Sequence, residues 1–160
     1  MLKQYLIRNY EYNKWANEVT IKLIADQNAY GIERIQVLLS HLIAAQEVWI
    51  SRIQGRGMNI SGVWQVISLE ENAKLHADTM TDWLNYLTNL ADEADLLRII
   101  SYKNTKGDFY ETPIIDIANH CVGHASYHRA QIMQLLRDNG HEPFDTTFIT
   151  YARLVKHPSL

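Results

Sequence analysis

The chain has 160 residues, 47% of them hydrophobic and 21% charged, and a formal charge of −3. With no basic surplus it is a poor candidate for a nucleic-acid binder that works by neutralising phosphates. No run approaches the ~18–20 apolar residues of a membrane span, and one cysteine, Cys121, leaves no intramolecular disulfide. This length fits one domain over residues 1–160, able to bury roughly 70% of its unfolded surface without a covalent staple. The mixed charges and aromatics of "MLKQYLIRNYEYNKWANE" lack the apolar run of a secretion signal, so a reducing cytoplasm is the expected compartment.

The first helix is expected over residues 2–27, with Leu2, Leu6, Tyr10, Trp15, Val19, Leu23 and Ile24 on one face, closed by the turn-rich "DQNAYG". A second helix is expected over 32–54, carrying Ile35, Leu38, Leu42, Ala45, Trp49 and Ile53. "GRGMNISG" (55–62) reads as a loop by its glycines. A third helix opens at "SLEE", where Ser68 and Glu71 can cap each other reciprocally. Its stripe of Leu75, Met80, Trp83, Leu84, Leu87, Leu90 and Leu97 predicts a helix to about residue 97, with "DEAD" (92–95) as a solvated end. Ile99, Ile100, Tyr102, Phe109 and Tyr110 flank "KNTKGD", the pattern of a short hairpin.

Thr112 as N-cap and Pro113 at the first helical position predict a fourth helix, stopped by Gly140 after Asn139. A last short helix is expected over 145–155. The chain therefore reads as all-α, a four-helix bundle with a small hairpin between helices 3 and 4. Trp15, Trp49 and Trp83 are expected to pack in its core.

Three of the seven histidines fall in "NHCVGHASYHRAQ": His120, His124 and His128. At about 100° per residue, His124 and His128 share an arc of about 80° with Ile117, Cys121, Ile132 and Leu135. His120 falls on the polar margin with Tyr127 and Asp116. Two histidines at i and i+4 project side by side and can hold one ion, but a catalytic site typically needs a third protein ligand. His41, at the edge of the second helix's core stripe, is the best candidate. His76 reads as half exposed, and His141 and His157 as solvent-facing.

A lone inward histidine is more often a hydrogen-bonded core residue than a ligand. Three that converge are harder to explain without an ion, because buried unpaired ring nitrogens cost roughly 1–3 kcal/mol each. A metal-free bundle whose histidines only pack stays open as a reading. Cys121 reads as a small buried hydrophobe, or as a further ligand.

The stretches "YEYNKWANEVTIKLI", "LLSHLIAAQEVWISRI", "HCVGHASYHRAQIMQLLRDNGHEP" and "TTFITYARL" resemble the DinB/YfiT-like family of proposed metalloenzymes, grouped with bacterial thiol transferases. The resemblance covers nearly the whole chain. It implies a bundle in up-down-down-up order and a divalent ion, nickel or zinc, on three histidines that map to His41, His124 and His128. Two positions depart from the family pattern: Ala130 replaces a common glycine, and Thr147 a common aspartate.

Three neutral imidazoles leave an ion's positive charge uncompensated and a position open, so a water or a low-molecular-weight thiol held there would lose its proton near neutral pH. A metal-dependent enzyme of the thiol S-transferase or hydrolase type, acting on a small molecule, is therefore expected. The alternative is a non-catalytic metal-binding or stress-related interaction protein. Glu47 points away from His41, so no carboxylate base is evident, which favours the thiol. Tyr127, Arg129 and Gln131 are candidates to support the ion or touch substrate. Tyr- and Trp-rich helix faces point to a homodimer.

Overall fold

The computed structural model describes residues 1–57 and 60–155, so His157 lies outside the described residues, as do two positions of the expected 55–62 loop. Four long helices dominate: α1 (Leu2–Asp26), α2 (Glu33–Ile53), α3 (Leu69–Thr88) and α4 (Ile114–Asp138). A two-stranded antiparallel hairpin, β1 (Ile99–Lys103) and β2 (Phe109–Pro113), precedes α4, and α5 (Phe148–Leu154) follows it. No helix among the described residues is long and apolar enough to cross a membrane.

Side-chain pairings set the directions. Asn17 meets His76, Asn13 meets Met80 and Tyr10 meets Trp83, so α1 and α3 are antiparallel. Tyr10 reaches Ala118 and Asn17 reaches Arg129, so α1 and α4 are parallel. His41 meets His124 while Trp49 meets His120, so α2 and α4 are antiparallel. The order is therefore up-down-down-up. Each of α1 and α2 packs on both α3 and α4, which places α1 and α2 on a diagonal.

Local chemistry accounts for the boundaries. Asn28 takes the left-handed conformation (φ 52°) after α1, which its short polar side chain tolerates. Ser68 Oγ accepts from the Glu71 N–H, and the Glu71 carboxylate accepts from the Ser68 N–H, so the capping box forms as expected. Gly140 (φ 77°) ends α4, with the His141 N–H donating to the Leu136 carbonyl at 2.9 Å.

Several expectations need correction. α3 stops at Thr88; the expected continuation to residue 97 is replaced by a 3₁₀ turn over Glu93–Leu97. Asp92 caps that turn by accepting from the Ala94 N–H, so the acidic run starts a new element instead of finishing the old one. Leu97 is then 64% exposed and Leu96 takes the core position. Thr112 is a strand residue paired with Ile100, and Pro113 is the N-cap of α4 rather than its first residue.

The core has two main parts. Trp83 is buried against Tyr10 and donates from Nε1 to the Gln46 carbonyl at 3.0 Å. The other part joins Ile24, Leu38, Leu42, Ile132 and Leu136. Between them lies a buried polar layer. Arg129, 1% exposed, donates to Asn13 Oδ1 (2.8 Å), Asn17 Oδ1 (2.7 Å) and the Tyr12 hydroxyl (3.1 Å). Arg129 is thus a core residue facing α1 and does not face a substrate. His76 belongs to this layer at 2% exposure, contrary to the half-exposed expectation, because α3 presents it directly to Asn17. His141 is intermediate in exposure rather than fully solvent-facing.

Candidate metal centre

α2 and α4 run antiparallel and bring three rings to one point. His41 Nε2 lies 3.2 Å from His124 Nε2, and His128 Nε2 lies 3.2 Å from the same atom. The three ligand atoms all fall within 4.8 Å of one another, and the group could hold a metal ion. His41 and His128 are buried and His124 is intermediate.

The outer nitrogens fix the tautomers. His41 Nδ1 is 3.0 Å from the Val63 carbonyl, an acceptor only, so Nδ1 carries the proton and Nε2 its lone pair. His128 Nδ1 is 2.8 Å from Gln131 Oε1, with the same consequence. Two lone pairs are thereby aimed at the point where His124 Nε2 also arrives. His124 Nε2–H could donate to one of them and would leave the other facing it, whereas a cation satisfies all three. Outer hydrogen bonds of this kind orient the ligands of metal sites.

Burial pushes the His124 imidazole down to about 3, and the neighbouring His128, His41 and His120 rings add to it. Burial also lowers His41, with the Val63 carbonyl opposing. Both rings are therefore neutral at physiological pH, the form that ligates metals.

The cluster borders a cavity of about 340 Å³. Its walls are the α2 residues Ala45, Val48, Trp49 and Arg52, the hairpin residues Tyr102, Asn104, Thr105 and Tyr110, and His120 and His124 of α4. Trp64 stacks on the His41 ring, with centroids 3.5 Å apart and planes 3° apart. His120 stays at the exposed margin, between Trp49 and His124.

The chain belongs to the DinB family. The family model matches residues 1–157. The chain is also similar to Protein DinB of Bacillus subtilis (strain 168), 22% identical over 168 residues that cover 97% of this chain and 98% of that protein. Within this DinB domain the two departures have plain consequences. Ala130 is exposed, so no close helix contact demands glycine there. Near Thr147, Asp145 supplies a carboxylate two residues earlier, accepting from the Thr147 N–H (2.9 Å) and the Thr150 hydroxyl (2.5 Å).

Of the other candidates, Gln131 anchors His128, and Tyr127 sits edge-on to that ring but is largely exposed. Cys121 lies outside the cluster, buried beside Tyr10, and burial pushes its thiol up, so it stays protonated. It is a small core residue. Glu47 is turned away from this cavity and accepts from Ser51 at 3.3 Å. Trp83 is core as expected, whereas Trp49 is half-buried and forms the cavity wall. Sequence reading missed Val63, Trp64 and Arg52. For Arg52 a signal existed: positions four, eight and eleven after His41 (Ala45, Trp49, Arg52) share its face of the helix.

Proposed function

We infer that this DinB-family protein is a divalent-metal-dependent enzyme whose His41, His124 and His128 hold nickel or zinc and act on a low-molecular-weight thiol or a water. The observation that carries the reading is the convergence of three Nε2 atoms beside a cavity, two of them with protons fixed on the opposite nitrogen. A divalent ion held there supplies positive charge and an open coordination position, which favours the deprotonated form of a thiol or water brought against it.

The chain's own groups do the rest. Val63 and Gln131 hold the His41 and His128 rings with Nε2 aimed at the shared point. Trp64 covers the His41 ring, and Trp49, Tyr102 and Tyr110 give the reactant aromatic walls. Among the described residues no Asp or Glu lines the cavity. A hydrolase would normally use such a group to handle a water proton, so thiol S-transfer is the favoured chemistry. The same absence is what a non-catalytic metal-binding protein would show, and this is the second reading.

The test is the metal content of tag-free protein, followed by thiol-conjugation and hydrolase assays of wild type and His124→Ala. About one equivalent of nickel or zinc and thiol conjugation lost in His124→Ala are expected. Metal well below one equivalent, with no uptake from solution, overturns the reading. Metal without any dependent activity favours the non-catalytic one. We place the protein in the cytoplasm as a homodimer. Exposed Tyr5, Phe109 and Tyr110 offer apolar area for association, and sedimentation velocity would show a monomer if this is wrong.

A further inference from the structure

Arg52 of α2 faces the cavity and two of its aromatic walls. Its guanidinium carbon lies 4.6 Å from the Trp49 ring and 4.7 Å from the Tyr102 ring. Nη2 donates to the Lys103 carbonyl at 2.9 Å. Among the described residues no carboxylate lies within ion-pair distance of it. Asp108, on the same hairpin, is engaged by Asn104 and is not part of the cavity wall. Arg52 is half-buried, rests against two rings set at 88° to each other, and lines the cavity that also borders His41 and His124.

Fastening the hairpin to α2 needs one N–H. It does not need a charge partly withdrawn from water with no carboxylate beside it, an arrangement that costs free energy unless something pairs with it. A guanidinium that rests against two rings and spends one N–H on a carbonyl keeps further N–H donors for a carboxylate. Arg52 lies eleven residues after His41, three turns on and on the same face, about 16 Å along the helix axis. Arg52 and the histidines His41 and His124 therefore line one aromatic-walled cavity from positions three turns apart on α2 and from α4.

We propose that this cavity takes an elongated small molecule whose carboxylate seats on Arg52 while its far end, a thiol, reaches the three histidines. The identity of the far end rests on the function proposed above; the carboxylate seat does not. Arg52 is then a specificity residue that selects acidic thiols over neutral ones of the same length.

The experiment is isothermal titration calorimetry of the full-length, zinc-loaded chain with three probes: 8-mercaptooctanoate, its primary amide, and octanoate. Wild type is expected to bind the mercapto-acid about tenfold more tightly than the amide, as for a partly solvated charge-assisted contact. Arg52→Met is expected to bring the two to parity, with helical circular dichroism and zinc content unchanged, and Arg52→Lys to retain part of the preference. Parity in wild type, or an undiminished preference in Arg52→Met, overturns the proposal. The wild-type comparison decides this even if the variant folds poorly. Octanoate separates the two ideas. If it binds as tightly as the mercapto-acid while the acid-over-amide preference persists, including in His124→Ala, the carboxylate seat stands and the thiol-binding centre falls. If the mercapto-acid exceeds octanoate but equals its amide, the centre stands and the seat falls.

Discussion

One buried imidazole outside the histidine cluster should contribute a measurable share of the fold's acid lability. His76 is 2% exposed on α3, with Asn17 Nδ2 3.5 Å from its Nδ1 and no well-formed hydrogen bond at Nε2. Burial lowers it from 6.5 to about 4, with the Glu18 carboxylate only partly opposing. The unfolded chain takes up this proton near pH 6.5 and the folded chain not until about pH 4. Stability is therefore fully present above 6.5 and is lost as pH falls through that window. The whole difference is worth roughly 3 kcal/mol, and about 2 kcal/mol of it should disappear between pH 7 and pH 5. Replacing His76 with glutamine removes the titration and keeps a polar group opposite Asn17. Urea unfolding of chelator-stripped wild type and His76→Gln at both pH values measures the difference. Contributions from the metal-centre histidines are common to both proteins and cancel in the comparison. Wild type should lose about 2 kcal/mol more than the variant. Equal losses would refute the assignment of that share to His76.

Truncating Arg129 to methionine should destabilise the fold by about 3 kcal/mol in urea unfolding, because Asn13 Oδ1, Asn17 Oδ1 and the Tyr12 hydroxyl lose a buried donor; a change below about 1 kcal/mol would contradict it. Gln131→Leu should weaken zinc binding roughly 10–100-fold in competition with a chromophoric chelator, by freeing the His128 ring to rotate and change tautomer. Ser68→Ala should cost about 1 kcal/mol by opening the capping box of α3, visible as a lower thermal midpoint with metal affinity unchanged.

Where amphipathic spacing and punctuation agree, the sequence reading is close. α1, α2 and α4 begin and end within a residue or two of expectation, because Asn28, Gly31, Pro113 and Gly140 mark breaks that the apolar stripes also respect. The meeting of His41 with His124 and His128 follows from the same logic: each is placed inward by its own helix. The reading fails where a residue's fate depends on a second neighbour. α4 packs on both α1 and α2, so its buried arc is wider than one stripe and takes in Arg129, a position that periodicity alone assigns to solvent. His76 is hidden for the same reason, by the small and polar side of α1 formed by Asn13, Ala16, Asn17 and Thr20. The segment before α3 looked only glycine-rich, and nothing in it announced that Val63 and Trp64 would return to His41. A loop's long-range contacts leave no periodic trace.

Because α2 and α3 point the same way, the chain between them must travel back along the length of the molecule. That return strap is what carries the Val63 carbonyl and the Trp64 ring onto His41. Wiring the same helices as simple hairpins would shorten the journey. It could preserve all three imidazoles while removing both the brace behind one of them and the roof over it. The route of the chain, as much as the choice of side chains, decides what stands behind and above His41.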